Sequence, residues 1–140
     1  MKRTANAHWN GDLKEGKGTI STQSTVLSET QYSYNTRFGD GIGTNPEELL
    51  GASHSGCFTM AVSAVLTQNG ITANDLDTKA IVELDPVAQK IVGISLELTA
   101  GIIDGVSEEK FTELAEIAKA NCPISKALSA TSITLQVTYK

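Results

Sequence analysis

The stretch from residue 45 to residue 70 limits what this chain can become more than any other. Asn45 is a favoured N-cap and Pro46 suits the first helical position. Glu47 and Glu48 then place negative charge in the first turn, where the helix dipole stabilises it. Behind them Leu49, Leu50, Ala52, Cys57, Phe58, Met60, Ala61, Val62, Ala64, Val65 and Leu66 make the helix apolar almost all round, until Asn69-Gly70 ends it. A helix without a polar face is expected at the centre of a structure. The rest of the chain must then supply its cover.

Short strands are the expected source. Lys17 to Thr22 follows a glycine-rich turn, and Val26 begins a Thr-, Ser- and Tyr-rich stretch running towards Asn35. Gly39, Gly41 and Gly43 punctuate the loop before the helix. Beyond it come strands at Lys79–Asp85 and Ile91–Ala100. A second helix follows, capped by Ser107 and stopping at Asn121, then a short turn from Ile124 to Leu128. A final strand alternates through Ile133, Leu135, Val137 and Tyr139. This is an α+β pattern, a mostly antiparallel sheet wrapped around buried central helices. With 140 residues and no repeat or Pro-rich linker, one domain over residues 1–140 is expected.

Charge removes several classes of function. Eleven Lys and Arg against sixteen Asp and Glu leave a net charge of -5, with no basic cluster. That argues against nucleic acid as a partner and against a polybasic membrane tether. Uninterrupted apolar runs are short and Lys2, Arg3, Thr4 and Asn6 do not open a signal peptide, so no membrane association and a cytoplasmic location are expected.

The chemistry-bearing residues are few. Cys57 sits inside the long helix, where apolar neighbours disfavour its thiolate unless a cation is supplied. Arg37, one of only two arginines, precedes the glycine loop that feeds this helix. Its guanidinium can hold a thiolate together with a carboxylate such as Glu47 or Glu48, or it can simply be a solvated loop residue. Cys122 precedes Pro123 at an expected helix N-cap, where unpaired N–H groups stabilise an anionic sulfur. His8 and His54 complete the cysteine and histidine set, but the spacing matches no zinc module, and no metal is expected. His54 reads as a polar residue on a helix flank. Gly16-Lys17-Gly18-Thr19 lacks phosphate-loop spacing, and no serine has the nucleophile-elbow pattern.

Several of these segments together resemble the OsmC/Ohr family, the osmotically inducible protein C and organic hydroperoxide resistance proteins, and specifically its OsmC branch. The resemblance is carried by Thr44-Asn45-Pro46-Glu47-Glu48-Leu49-Leu50-Gly51-Ala52 followed by Cys57-Phe58. Further support comes from His8-Trp9, Gly11-Asp12, Gly16-Lys17-Gly18-Thr19, Asn35-Thr36-Arg37-Phe38 and Asn121-Cys122-Pro123. It implies a thiol-dependent peroxidase acting on organic hydroperoxides, with Cys57 as peroxidatic cysteine, Cys122 as resolving cysteine, and Arg37 and Glu47 as its activating pair. It also implies an intertwined homodimer, no cofactor of its own, and re-reduction by an external dithiol such as a lipoyl group. Leu50, Phe58 and Met60 are expected to form the apolar walls that bind the organic part of the substrate, each buried CH₂ favouring it by about 0.8 kcal/mol. Gly56 stands where many relatives carry alanine.

On a straight helix Glu47 and Cys57 lie about 15 Å apart. Either the helix bends or begins late, or Arg37 and Glu47 complete a site on a second subunit, the reading preferred here. The alternative to a peroxidase is a binding module for an apolar small molecule, with passive cysteines.

Overall fold

A computed structural model describes residues 1–140. The chain falls into two compact units, Met1–Leu49 and Leu50–Lys140.

In the first unit, β1 (Ala5–Asn10), β2 (Lys17–Thr22) and β3 (Thr30–Tyr32) form an antiparallel sheet in that order. The β1–β2 turn is built on Asp12, whose carboxylate accepts the N–H groups of Lys14 at 2.8 Å and Glu15 at 3.0 Å. Gly18 pairs with Trp9 on one side and Tyr32 on the other. A Cβ there would lie 2.3 Å from the Tyr32 ring, so the glycine makes room for the two aromatic rings to meet, centroids 5.4 Å apart.

The expected strand from Val26 to Asn35 is mostly something else. Glu29 has a φ of 50°, which an extended strand excludes. After the three residues of β3, Ser33 caps a short helix, α1 (Tyr34–Phe38). The Thr36 N–H donates to Ser33 Oγ at 3.2 Å and the Ser33 N–H donates to Thr36 Oγ1 at 2.8 Å. This reciprocal capping box satisfies the backbone locally and wins over strand pairing.

The long helix, α2 (Pro46–Gln68), opens where its sequence says, and it does not begin late. The Glu48 N–H donates to Asn45 Oδ1 at 2.8 Å, and Asn45 Nδ2 donates to the Thr36 carbonyl at 3.2 Å, tying the helix start to α1. Expected to be buried all round, α2 is buried along one stripe only: Gly51, His54, Phe58, Val62, Val65 and Leu66. Ala52, Ser53, Gly56, Met60, Ser63, Ala64 and Thr67 are exposed, because the chain covers a single face of the helix. At 23 residues, with an apolar stretch of 18 within it, α2 is long and apolar enough to cross a membrane by length and composition. Its buried stripe, with a histidine in it, makes it a core helix instead.

The second unit holds β4 (Leu76–Asp85), β5 (Lys90–Ala100), α3 (Glu108–Asn121), α4 (Pro123–Ala127) and β6 (Ser132–Tyr139). Its sheet runs β4-β5-β6, antiparallel for the first pair and parallel for the second. A parallel pair needs a crossover, which α3 and α4 supply. The strands thus divide between two three-stranded sheets, with one parallel pairing among otherwise antiparallel ones. Ile94, Leu96, Leu98 and Ala100 point inward from β5 at the strand period and meet the α2 stripe and Phe111, Leu114, Ala115 and Ala118 of α3. Phe111 stacks on Tyr139 at 4.8 Å, and the Tyr139 hydroxyl accepts the Ile103 N–H at 2.7 Å.

Candidate active site

Within residues 50–140 the fold brings the two cysteines together. Cys57 lies on α2, and Cys122 is at once the C-cap of α3 and the N-cap of α4, held there by its N–H donating to the Ala118 carbonyl at 2.8 Å. Both are free thiols, their sulfurs 3.0 Å apart. Cys122 has no exposed surface, whereas Cys57 is half-buried.

Their surroundings are unequal. Burial raises the Cys57 thiol and its hydrogen bond to Cys122 raises it further, with only the Ile124 amide acting the other way. Burial opposes the Cys122 thiolate too. There, however, the neighbouring Cys57, Ser125 and Ile124 outweigh it and carry the thiol below its ordinary value.

His54 was expected on a flank; it is fully buried. Its Nε2 lies 2.8 Å from Ser125 Oγ, while Nδ1 is buried with no partner. Burial holds the imidazole below its ordinary pKa and therefore neutral. Ser125 was missed by the sequence reading.

Within residues 1–49 the fold joins Arg37 to Glu47. Arg37 Nε donates to Glu47 Oε1 and Oε2 at 3.2 and 3.1 Å, and Nη2 donates to Oε1 at 2.7 Å. The carboxylate raises the guanidinium pKa further. The choice left open between Glu47 and Glu48 resolves here, since Glu48 instead accepts from the Thr44 hydroxyl at 3.0 Å. Every polar residue of the Thr44–Glu48 motif thus has a bond to make. Beside Arg37 lies a cavity of about 300 Å³ lined by Trp9, Leu13, Tyr32, Tyr34, Phe38 and Pro46. Four of the chain's aromatic side chains meet there from separate segments, which a linear reading did not assemble.

The three residues expected as apolar walls lie in different surroundings. Phe58 has no exposed surface and is a core residue, one step along the helix from Cys57 and on the stripe with His54 and Val62. Leu50 packs against that same core. Met60 is 75% exposed, on the uncovered side of α2.

The family model for OsmC-like proteins matches residues 39–138. The chain belongs to the OsmC family. It is 43% identical to the peroxiredoxin OsmC of Escherichia coli K12 over all of this chain and 98% of that protein. Among solved structures, the organic hydroperoxide resistance protein OhrB of Bacillus subtilis is 26% identical, with a TM-score of 0.71 over 96% of this chain and 98% of that one. An organic hydroperoxide resistance protein from Elizabethkingia anophelis is 27% identical, with a TM-score of 0.75 over 100% and 99%. These relationships support a peroxidase-type redox role for this OsmC-family chain.

Proposed function

We propose that the chain is a two-cysteine peroxidase that reduces organic hydroperoxides to alcohols, serving in defence against oxidative and osmotic stress. The observation that carries this reading is the pair of free sulfurs 3.0 Å apart. The Cys57 thiolate attacks the terminal oxygen of ROOH; the O–O bond breaks, the alkoxide leaves and takes a proton as ROH, and Cys57 becomes a sulfenic acid. Cys122 then attacks that sulfur, hydroxide leaves as water, and a disulfide remains. An external dithiol, of which a lipoyl group is one form, reopens it. A reducing cytoplasm is the compartment in which the pair would rest as thiols.

In this reading Arg37 supplies an oriented guanidinium N–H donor to the Cys57 thiolate, and Glu47 fixes its orientation. The aromatic cavity beside Arg37, in place of the walls expected on α2, takes the organic group. The molecule acts as a homodimer, and Arg37 and Glu47 complete the site of the second subunit. The uncovered face of α2, with Met60 at its centre, supports a covering partner. Monomers fully active at high dilution would count against the shared site.

The test is a thiol titration before and after one equivalent of cumene hydroperoxide, with Cys57→Ser and Cys122→Ser beside the wild type. Rapid loss of both thiols, with Cys122 inert when Cys57 is absent, is the expected result. Reaction no faster than a free thiol would refute the peroxidase and leave an apolar-ligand binder with passive cysteines.

A further inference from the structure

Cys57 and Cys122 stand on different elements, and what holds α4 against α2 decides how far apart their sulfurs rest. α4 is five residues long, too short to be stable by itself, and no side-chain bond caps its start. Cys122 is fixed from the α3 side, by its N–H on the Ala118 carbonyl. Across the gap to α2, apart from the meeting of the two thiols, one side-chain hydrogen bond joins the helices: His54 Nε2 lies 2.8 Å from Ser125 Oγ. His54 is three residues before Cys57 and Ser125 three after Cys122, so this bond spans the same gap as the sulfurs, one helical turn away on each side.

The bond is buried at both ends. His54 has no exposed surface and Ser125 is 7% exposed, so water does not compete for it as it would on a surface. Its direction follows from Nδ1, which is buried with no partner. A neutral imidazole carries one proton. On Nδ1 that proton would be a buried N–H without an acceptor; on Nε2 it leaves only an acceptor unpaired, the less costly arrangement. The Nε2–H of His54 therefore donates to Ser125 Oγ.

Resting on the disulfide proposed above, we infer that the His54–Ser125 bond is the tie that holds Cys122 within reach of Cys57, so that the pair closes in place. Free sulfurs 3.0 Å apart need only about 1 Å of further approach to reach the length of a disulfide. The tie and the disulfide favour the same approach of α4 to α2, and each therefore strengthens the other. Without the tie α4 samples wider separations from α2, and the effective concentration of one thiol at the other falls. His54 and Ser125 are both positioning residues: they act on the distance between two elements, and neither needs to touch a sulfur.

The test is the equilibrium of the full-length protein with glutathione, whose disulfide oxidises the pair whether or not the protein reduces peroxides. The Cys57–Cys122 bond forms as the glutathione disulfide breaks, and the two thiol protons and two electrons leave with two molecules of glutathione. Counting the protein thiols that remain over a series of glutathione ratios gives the equilibrium constant. Ser125→Ala and His54→Leu should each lower it by about two- to tenfold, the population that one net hydrogen bond holds. The double variant should fall no further than either alone, since both changes remove the same bond. His54→Gln, which keeps an N–H near the position of Nε2, should recover the wild-type constant. Ser125→Ala, the mildest change, carries the test where His54→Leu does not fold. A bond that only stabilised the fold would lower the stability of the dithiol and disulfide forms alike and leave this equilibrium unmoved. An unchanged constant in Ser125→Ala, additive losses in the double variant, a loss in His54→Gln equal to that in His54→Leu, or no disulfide at any ratio would each overturn the inference. Inertness to cumene hydroperoxide with the glutathione results intact would remove the peroxidase and leave this assignment standing.

Discussion

A buried neutral histidine makes folding stability depend on pH in a direction that can be worked out beforehand. His54 is fully buried, and burial lowers its pKa from the ordinary 6.5 that it regains on unfolding. Below pH 6.5 the unfolded chain therefore binds a proton that the folded chain does not. Stability rises with pH wherever the unfolded state holds more protons, so this group's contribution is fully present above pH 6.5. It falls away as the pH drops from 6.5 towards the folded-state pKa, and is constant below it. The slope cannot exceed about 1.4 kcal/mol per pH unit, so the loss between pH 7.5 and 5.5 has a ceiling of about 1.4 kcal/mol.

The comparison is wild type against His54→Gln, which keeps an N–H near the position of Nε2 but does not titrate. Urea unfolding at pH 7.5, 6.5 and 5.5 should show the wild-type stability falling relative to the variant. With an m-value of about 1–3 kcal/mol per molar, the relative midpoint moves by up to roughly 0.5–1.4 M. His8 and all the carboxylates are common to both proteins and cancel. The bonds from the Lys14 and Glu15 amides lower the Asp12 pKa from 3.8, so its own stability contribution is lost only at more acid pH, outside this window. Parallel curves for the two proteins would refute the argument that burial holds His54 neutral. Wild type gaining on the variant as the pH falls would reverse its sign.

Other substitutions probe separate links. Gly56→Ala should stabilise by about 0.5–1 kcal/mol in urea unfolding, since an added Cβ meets nothing within 4 Å and glycine is costly inside a helix. Phe58→Ala should cost about 3–5 kcal/mol with an unchanged m-value, as expected for a wholly buried ring in the core. Glu47→Gln should lower stability by no more than about 1 kcal/mol, because the Arg37 side chain is 38% exposed and solvent screens the pair. Its kcat/KM for cumene hydroperoxide should nonetheless fall at least about tenfold, as expected when an oriented donor is released.

The C-terminal two-thirds of the molecule was legible because each element carried its own local signals. Asn45, Pro46 and Ser107 mark helix starts by a side-chain acceptor or a missing N–H, and the alternation from Ile133 to Tyr139 marks one strand face. β1 was not legible, since most of its residues are exposed and no alternation survives. α1 was misread as strand although its capping pair, Ser33 and Thr36, stands in the sequence; the Thr and Tyr content spoke louder than the spacing. The two faces of α2 could not be told apart, because small apolar residues lie on both. The cysteines were conspicuous as thiols, but their partners were not. His54 reads as a flank residue and Ser125 as an ordinary helix-turn serine until the fold closes the 2.8 Å contact between them. The shared offset of three from a cysteine was the available signal.

The charges at the two sulfurs and at the guanidinium set a further condition on any mechanism. Arg37 is already paired with Glu47, so together they carry no net charge, and a bare coulombic account of thiolate activation fails. What the pair offers is direction. Nε and Nη2 are spent on the carboxylate, which leaves Nη1 outside the ion pair with both of its N–H groups. A guanidinium clamped on one edge presents the other edge as a fixed donor, whereas an ammonium in its place would give up the fork that does the clamping.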